Sequence, residues 1–207
     1  MPTATKKDKQ RIRRPRRSRR PEETRAAVVE SALRLFAANG VGETSVPAIA
    51  ADAGVAVGTL YCYFSSKEVL ANFLICDSSQ ALCKYLWEGF PTDASFRHQF
   101  GFFWRRYINF AIEHQDAFKF LQDRAKDLDM DNSSQEAMAT LEETENWILD
   151  RGHAVGELLH LQTAALSALV HGTARALSQA HLDGRLTLDE FLISQTENCC
   201  WAAIAKA

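Results

Sequence analysis

The sequence predicts an all-α protein with a small N-terminal helical domain and a larger helical domain behind it. Apolar residues recur at intervals of three and four along most of the chain. No segment alternates apolar and polar residues with period two, and no Asn-Gly or Asp-Gly pair lies between β-branched runs. The 207 residues are 46% apolar, which is enough to bury a substantial core.

Charge is distributed unevenly along the chain. Residues 1–20 contain ten basic residues and one acidic residue. Residues 21–72 contain three basic and six acidic residues, and residues 73–207 contain eleven basic and nineteen acidic residues. Residues 1–21 hold almost nothing apolar and three prolines, so they are predicted to form a basic arm that is disordered when free. No apolar run of signal-peptide type follows the charges, and the five cysteines show no CxxC spacing. These features predict a cytoplasmic protein with reduced thiols, no membrane span and no metal site.

The predicted helices follow in order from Pro21. Pro21 and two acids suit a helix start, and Asn39-Gly40 suits its end. Thr44 and Ser45 are candidate caps of a second helix, and Ser65 or Ser66 of a fourth. The second to fourth helices are predicted at about 46–53, 57–64 and 67–88. The others lie at about 93–113, 115–127, 134–150, 156–182 and 187–205, with connectors at 129–132, 151–152 and 183–184.

The segment from Val46 to Lys67 has the spacing of a helix-turn-helix. Ala50 is small where two helices must approach each other, and Gly54, four residues later, allows the positive φ of a tight turn. Leu60 supplies an aliphatic side chain ten residues after Ala50. In such a motif the second helix lies in the major groove of DNA.

A longer pattern resembles the DNA-binding domain of the TetR/AcrR family of bacterial repressors over about residues 26–70. It consists of Ala32-Leu-Arg-Leu-Phe36, Gly40, Thr44-Ser-Val, Ile49-Ala50, Ala53-Gly-Val55, Gly58-Thr-Leu-Tyr-Cys-Tyr-Phe-Ser-Ser-Lys-Glu68 and Leu70. The resemblance implies three parts: an arm at 1–21, a DNA-binding domain at 22–70, and a ligand-binding and dimerisation domain at 71–207. It also implies a homodimer that binds double-stranded DNA at a near-palindromic operator and needs no cofactor.

The resemblance implies roles for individual residues. Thr44, Ser45, Tyr63 and Lys67 correspond to phosphate contacts. The front of the recognition helix, formed by Val57, Gly58, Thr59 and Tyr61, corresponds to the part that touches base edges. Leu60 and Phe64 are expected in the core.

Two positions depart from the family pattern. Pro47 stands where a basic or polar residue is common, so one DNA contact is expected to be missing. Cys62 replaces a larger side chain; a small exposed thiol is the simpler interpretation, and a redox-sensing role is the alternative.

The basic arm has two interpretations. It can follow phosphates or enter the minor groove beside the helix-turn-helix, or it can be a non-specific solubilising tail. Each phosphate that it neutralises adds about 0.9 to the slope of log affinity against log salt. Deletion of the arm therefore separates the two interpretations.

Residues 85–120 contain twelve of the twenty aromatic residues. Core packing and an apolar effector pocket are equally good explanations of this stripe. The pocket hypothesis predicts a small hydrophobic or aromatic effector among Phe100, Phe103, Trp104, Tyr107, Trp147 and His160. The segment from His114 to Leu121 resembles a helix junction found in many regulators of this family, and this resemblance implies that pressure of the effector on Phe118 or Phe120 tilts the DNA-binding domain.

The predicted helix at 156–182 carries apolar or small residues on two faces, so it needs two partners. With the last helix it is predicted to form a four-helix dimer interface, although burial within one subunit is the alternative. The predicted contacts are Leu161, Ala165, Ala168, Gly172 and Cys199.

An enzyme and an interaction protein are the two rival functions. An enzyme is rejected, because the sequence contains no catalytic motif and its six histidines are scattered. An interaction protein whose arm binds RNA or an anionic membrane leaves the recognition helix unexplained. The sequence therefore predicts a ligand-responsive transcriptional repressor.

Overall fold

The computed structural model describes residues 20–123 and 128–206, so residues 1–19 of the basic arm lie outside them. The described residues form nine α-helices and no β-strand, as the sequence predicts. None of these helices is sufficiently long and apolar to traverse a lipid bilayer. The helices are α1 (Pro21–Glu43), α2 (Val46–Ala53), α3 (Val57–Tyr61), α4 (Lys67–Trp87), α5 (Phe96–Glu113), α6 (Gln115–Asp123), α7 (Asn132–Ala154), α8 (Thr163–Leu182) and α9 (Glu190–Ile204).

Side-chain caps begin most of these helices. The Ser45, Ser66 and Ser95 side chains accept hydrogen bonds from backbone amides at the starts of α2, α4 and α5. Asp131 and Asp189 do the same for α7 and α9. Helix α1 continues beyond the predicted stop, but Gly40 within it has a non-helical φ of 82°, so the helix kinks where the sequence predicts an end.

Two hydrophobic cores organise the molecule. The first core packs α1, α2, α3 and the first half of α4 around Phe36, Leu60 and Leu74. The second core packs the end of α4 with α5 to α9 around Trp104 and Tyr107. Helix α4 thus contributes to both cores.

The region between α7 and α8 differs from the prediction. The predicted connector at 151–152 was wrong, because Gly152 lies inside α7, where a Cβ would come within 2.5 Å of the Leu158 and Phe96 side chains. The turn instead uses Gly156, whose φ is +75°. The predicted helix start at 156 was also wrong, because Leu158 forms an isolated antiparallel bridge with Ala205 and α8 begins only at Thr163.

Candidate DNA and effector sites

The helix-turn-helix is built around Gly54. This residue adopts a left-handed conformation (φ 69°, ψ 34°), and its amide donates to the carbonyls of Ala50 and Ala51 at the end of α2. Ala50 is buried, and Leu60 and Phe64 are core residues, as the sequence predicts. The turn therefore holds α3 at a fixed angle across α2.

The opposite face of α3 is exposed. Val57 and Tyr61 rank among the exposed large hydrophobic residues, and Tyr61 is 48% accessible. Gly58 is exposed and has open space where a Cβ would project, while Thr59 is half-buried. A helix that exposes apolar and small side chains beside a rigid turn has a surface suited to base edges.

The predicted phosphate contacts lie beside this helix, but most of their polar atoms already have partners. The Thr44 side chain is buried, and its hydroxyl donates to the Leu35 and Gly40 carbonyls at 3.2 and 2.7 Å. The Tyr63 hydroxyl donates to the Pro21 carbonyl at 3.0 Å. Ser45 is exposed, and its hydroxyl accepts from the Ala48 amide at 3.3 Å.

Lys67 joins the kinked end of α1 to the start of α2. Its ammonium Nζ donates to the carbonyls of Val41, Gly42 and Thr44 at 2.7, 3.1 and 3.1 Å. Three carbonyl acceptors satisfy the three donors of an ammonium group. Lys67 therefore positions the loop that leads into the helix-turn-helix.

All three basic side chains of residues 21–72 are engaged within the protein. Arg34 forms a salt bridge with Asp52, and Lys67 binds the three carbonyls. The Arg25 guanidinium lies 4.4 Å from the ring centroid of Phe73 and 5.3 Å from that of Phe64. The folded DNA-binding domain, whose acids outnumber these cations, thus has little basic charge to offer to phosphates.

The predicted pocket residues occupy three different places in the structure. Phe100, Phe103, Trp104 and Tyr107 are buried in the second core. Phe100 packs against Trp104, while Phe103 and Tyr107 pack against His171.

The other two predicted pocket residues lie apart from this group. Trp147 belongs to a separate aromatic cluster with Trp87 and Phe90, at ring-centroid distances of 4.6 and 5.3 Å. His160 is exposed in the extended segment before α8.

A cavity of about 380 Å³ lies instead where α4, α6, α7 and α8 meet, close to the Tyr107 side of the core. One part of its lining is apolar and the other is polar. The apolar residues are Leu82, Leu121, Met130, Met138, Ala139 and Leu141, and the polar residues are Gln122, Gln135, Glu142, Glu145, Ser167 and Arg175. The volume falls within the range of pockets for small molecules.

Two buried polar side chains, Tyr107 and His171, do not line this cavity but interact with residues that do. The Tyr107 hydroxyl is buried, and the polar side chains that act on it are Glu145, Arg175 and Gln122. Burial raises its pKa well above the usual value, Glu145 raises it further and Arg175 opposes the shift. Burial, with a smaller contribution from Arg175, lowers the pKa of His171 to about 4, so this imidazole is neutral. His171 Nδ1 lies 3.1 Å from the Ser167 hydroxyl.

Helix α6 connects the cavity with the DNA-binding domain. Leu121 and Gln122 line the cavity. Phe118 packs edge-on against Tyr107, with ring centroids 5.9 Å apart. Phe120 enters the first core and stacks on Phe36 at 6.0 Å.

An exposed apolar surface runs along α8 and α9. Leu161 and Leu169 are exposed, and Phe191 is 71% accessible. Ala165, Ala168 and Cys199 are exposed too, and a Cβ added at Gly172 would meet no atom of the described chain within 4 Å. Exposed apolar patches of this kind mark interfaces between proteins.

The sequence interpretation did not identify the polar lining of the cavity. Gln122, Glu145 and Arg175 lie on three different helices, and nothing in their local spacing links them. The one available signal is that Arg175 interrupts an otherwise uncharged helix of small and apolar residues.

Comparisons with known proteins cover both parts of the chain. A family model described as "Bacterial regulatory proteins, tetR family" matches residues 28–72. A second model, described as "Tetracyclin repressor-like, C-terminal domain", matches residues 75–206.

Solved structures show the same fold. A TetR family transcription regulator from Marinobacter aquaeolei VT8 has a TM-score of 0.78 at 23% identity, with 90% of this chain and 97% of that chain covered. A putative regulator of the same family from Shewanella sp. PV-4 has a TM-score of 0.74 at 24% identity, with 89% of this chain and 99% of that chain covered. A bacterial regulatory protein of the tetR family from Rhodococcus RHA1 has a TM-score of 0.77 at 14% identity, with 89% of this chain and 98% of that chain covered.

Proposed function

The chain belongs to the TetR family of bacterial regulatory proteins and has the fold of a DNA-binding transcription regulator. From this premise we propose that it is a repressor that binds a near-palindromic operator as a homodimer. A small hydrophobic or aromatic effector, bound in the C-terminal domain, releases it from the operator. The division into an arm (1–21), a DNA-binding domain (22–70) and a ligand-binding and dimerisation domain (71–207) is part of this proposal.

The observation that carries the proposal is the exposed face of α3. Val57, Gly58, Thr59 and Tyr61 occupy the front of a helix whose other face is fixed in the core by Leu60. In the proposed complex these four residues meet base edges in the major groove. Nearly half of the Tyr61 surface remains exposed, and this exposed part adds no buried area to the fold.

The proposed phosphate contacts surround this helix. Ser45, Tyr63 and Lys67 lie along the DNA backbone, and Thr44 holds their loop from inside through its two carbonyl partners. The Tyr63 hydroxyl and the Lys67 ammonium group already donate to backbone carbonyls, so each exchanges an internal acceptor for a phosphate oxygen when DNA binds.

The exposed surface of α8 and α9 is the proposed dimer interface, with Leu161, Ala165, Ala168, Gly172 and Cys199 in contact with the partner. The small side chains allow two copies of α8 to approach closely. Two-fold symmetry places two recognition helices on successive turns of one DNA face, which explains a near-palindromic operator.

Helix α6 carries the proposed response to the effector. A ligand in the cavity displaces Leu121 and Gln122, and the same rigid helix moves Phe120 within the first core. The recognition helices of the dimer then change their spacing. Such coupling is reciprocal, so operator DNA weakens effector binding by the same factor.

The experiment is selection of bound duplexes from a random library at about 0.15 M salt, with the full chain, with Tyr61→Ala and with Val155→Ala. Val155 is a comparably exposed apolar residue far along the chain in the C-terminal region, so its variant is the matched control. We expect a palindrome from the full chain and the control, and a loss of enrichment with Tyr61→Ala. Sequence-independent binding by all three proteins would contradict the proposed repressor and favour the interaction protein.

A further inference from the structure

We propose that the basic arm binds to an acidic groove of its own subunit when DNA is absent, and that DNA must displace the arm from this groove. The groove lies between α1 and α4 and has a volume of about 510 Å³. The displacement by DNA rests on the proposed function, whereas the docking of the arm does not.

The acids of the groove are not paired with cations in the described part of the chain. Glu22, Glu30 and Asp77 line the groove, and all three side chains are exposed. The salt bridges within the described residues involve other acids. The groove therefore offers three carboxylates to the arm, which contains nine Lys/Arg and one acid in residues 1–19.

The floor of the groove suits arginine better than lysine. Half-buried apolar side chains form it, among them Val29, Leu33 and Phe73. The guanidinium of Arg25, which also lines the groove, lies 4.4 Å from the ring centroid of Phe73. A guanidinium is more weakly hydrated than an ammonium group and packs on aromatic faces. Residues 11–19 contain six arginines and no lysine, so this part of the arm matches the groove.

The arm joins the folded chain between the groove and the proposed DNA-binding face. The carbonyl of Pro21 accepts a hydrogen bond from Tyr63, a proposed phosphate contact, while the next residue, Glu22, lines the groove. Glu30 lies about 15 Å from Arg20 along α1, a distance that about five extended residues span. The arm is therefore long enough to reach either surface, and the same cations cannot occupy both.

Docking of the arm lowers the affinity for DNA of any sequence. The cations of the arm must leave the carboxylates of the groove before they can neutralise phosphates. Because arm and groove belong to one chain, each meets the other at an effective concentration in the millimolar range. Ion pairs that are individually weak are then sufficient for docking, and salt screens them.

Cross-linking of the full chain without DNA tests the docking. A carbodiimide joins lysine amines to carboxylates that they contact. Arg14→Lys and Arg17→Lys, made together, keep the charge of the arm and place amines at about 20 and 10 Å of extended chain from Arg20. We expect mass spectrometry to find these amines linked to Glu30 and Asp77 of the same chain.

Exposed acids of α7 are the reference for chance collisions. Glu136 and Glu143 are exposed and do not line the groove. Links from the two new lysines to the acids of the groove should be about tenfold more abundant than links to these reference acids. Gel electrophoresis under denaturing conditions separates links within one chain from links between two chains.

Fluorescence anisotropy with a labelled duplex of random sequence tests the competition. Glu30→Gln with Asp77→Asn should bind this duplex about threefold more tightly than the unmodified chain, because the arm is released more easily. Glu136→Gln with Glu143→Gln removes the same charge from α7 and should show no such gain. The groove variant should also show no gain in a chain whose nine arm cations are replaced by Gln.

Four results would overturn the inference. These are equal linkage of the arm to the groove and to α7, linkage only between two chains, equal DNA affinity of the groove variant and the α7 variant, and a gain that persists without the arm cations. The cross-linking contains no DNA, so it is independent of operator binding. Failure of the proposed repressor would appear in the duplex selection.

Discussion

Removal of the basic arm should change the salt dependence of DNA binding more than any change in the folded domain. Residues 1–19 contain nine Lys/Arg. In the folded domain, Arg25 lies against aromatic rings, Arg34 is paired with Asp52, and Lys67 binds three carbonyls. The arm therefore holds most of the cations that are available to phosphates.

The magnitude follows from counterion release. Each neutralised phosphate contributes about 0.9 to the slope of log affinity against log salt. If each arm of a dimer neutralises about three phosphates, deletion reduces the slope by about 5. Between about 50 and 200 mM salt, the full chain should then lose on the order of a thousandfold more affinity than the truncated chain.

Fluorescence anisotropy of a labelled operator duplex measures the slope for the full chain and for a chain that starts at residue 20. A third protein, with the nine arm cations replaced by Gln, separates charge from length. Arg185→Gln is the control, because this exposed arginine pairs with Asp183 in the turn that follows α8. Equal slopes within about one unit for all four proteins would refute the reasoning and identify the arm as a solubilising tail.

Three further predictions concern the folded domains. Gly152→Ala should destabilise the protein by about 1–2 kcal/mol, because the cost of overpacking against Leu158 and Phe96 exceeds the gain in helix propensity. The melting temperature should therefore fall by about 3–6 °C, and an unchanged melting temperature would contradict the close packing around Gly152. Leu169→Glu should give monomers by sedimentation, whereas a dimer would exclude this surface as the interface. The free energy of unfolding should fall by about 3 kcal/mol as the pH drops from 6.5 to 4, because only the unfolded chain protonates His171 in that window. His171→Gln should remove this loss, and an undiminished pH dependence would assign it to other groups.

Controls for two of these variants lie at open positions. The new Cβ of Gly42→Ala meets no described atom within 4 Å, so this variant should not destabilise the protein as Gly152→Ala does. Thr140→Glu adds the same charge as Leu169→Glu on an exposed position of α7 and should remain dimeric.

The sequence predicted the helix-turn-helix well because local rules determine it. Gly54 is required by the backbone conformation of the turn, and Ala50, Leu60 and Phe64 are required by packing between elements that are close in sequence. A motif of this kind encodes its own geometry over about twenty residues.

The second domain was predicted less completely because its decisive contacts are distant in sequence. Nothing in the local pattern indicates that Gly152 faces Leu158 and Phe96, so its glycine was interpreted as a turn. The aromatic stripe of α5 was compatible with a core and with a pocket, and the structure buries Phe100, Phe103, Trp104 and Tyr107 in the core. The cavity wall depends on the juxtaposition of helices, which periodicity within one helix does not reveal.

The two-sided packing of α6 restricts how the protein can be recombined with its relatives. Phe118 belongs to one core and Phe120, two residues later, to the other, so no boundary within this helix leaves both cores intact. In a chimera that joins this DNA-binding domain to the ligand-binding domain of a relative, the helix equivalent to α6 should carry an aromatic side chain that packs on Phe36. Biosensor designs based on exchange of halves should therefore graft the Phe36–Phe120 contact together with the chosen sensor.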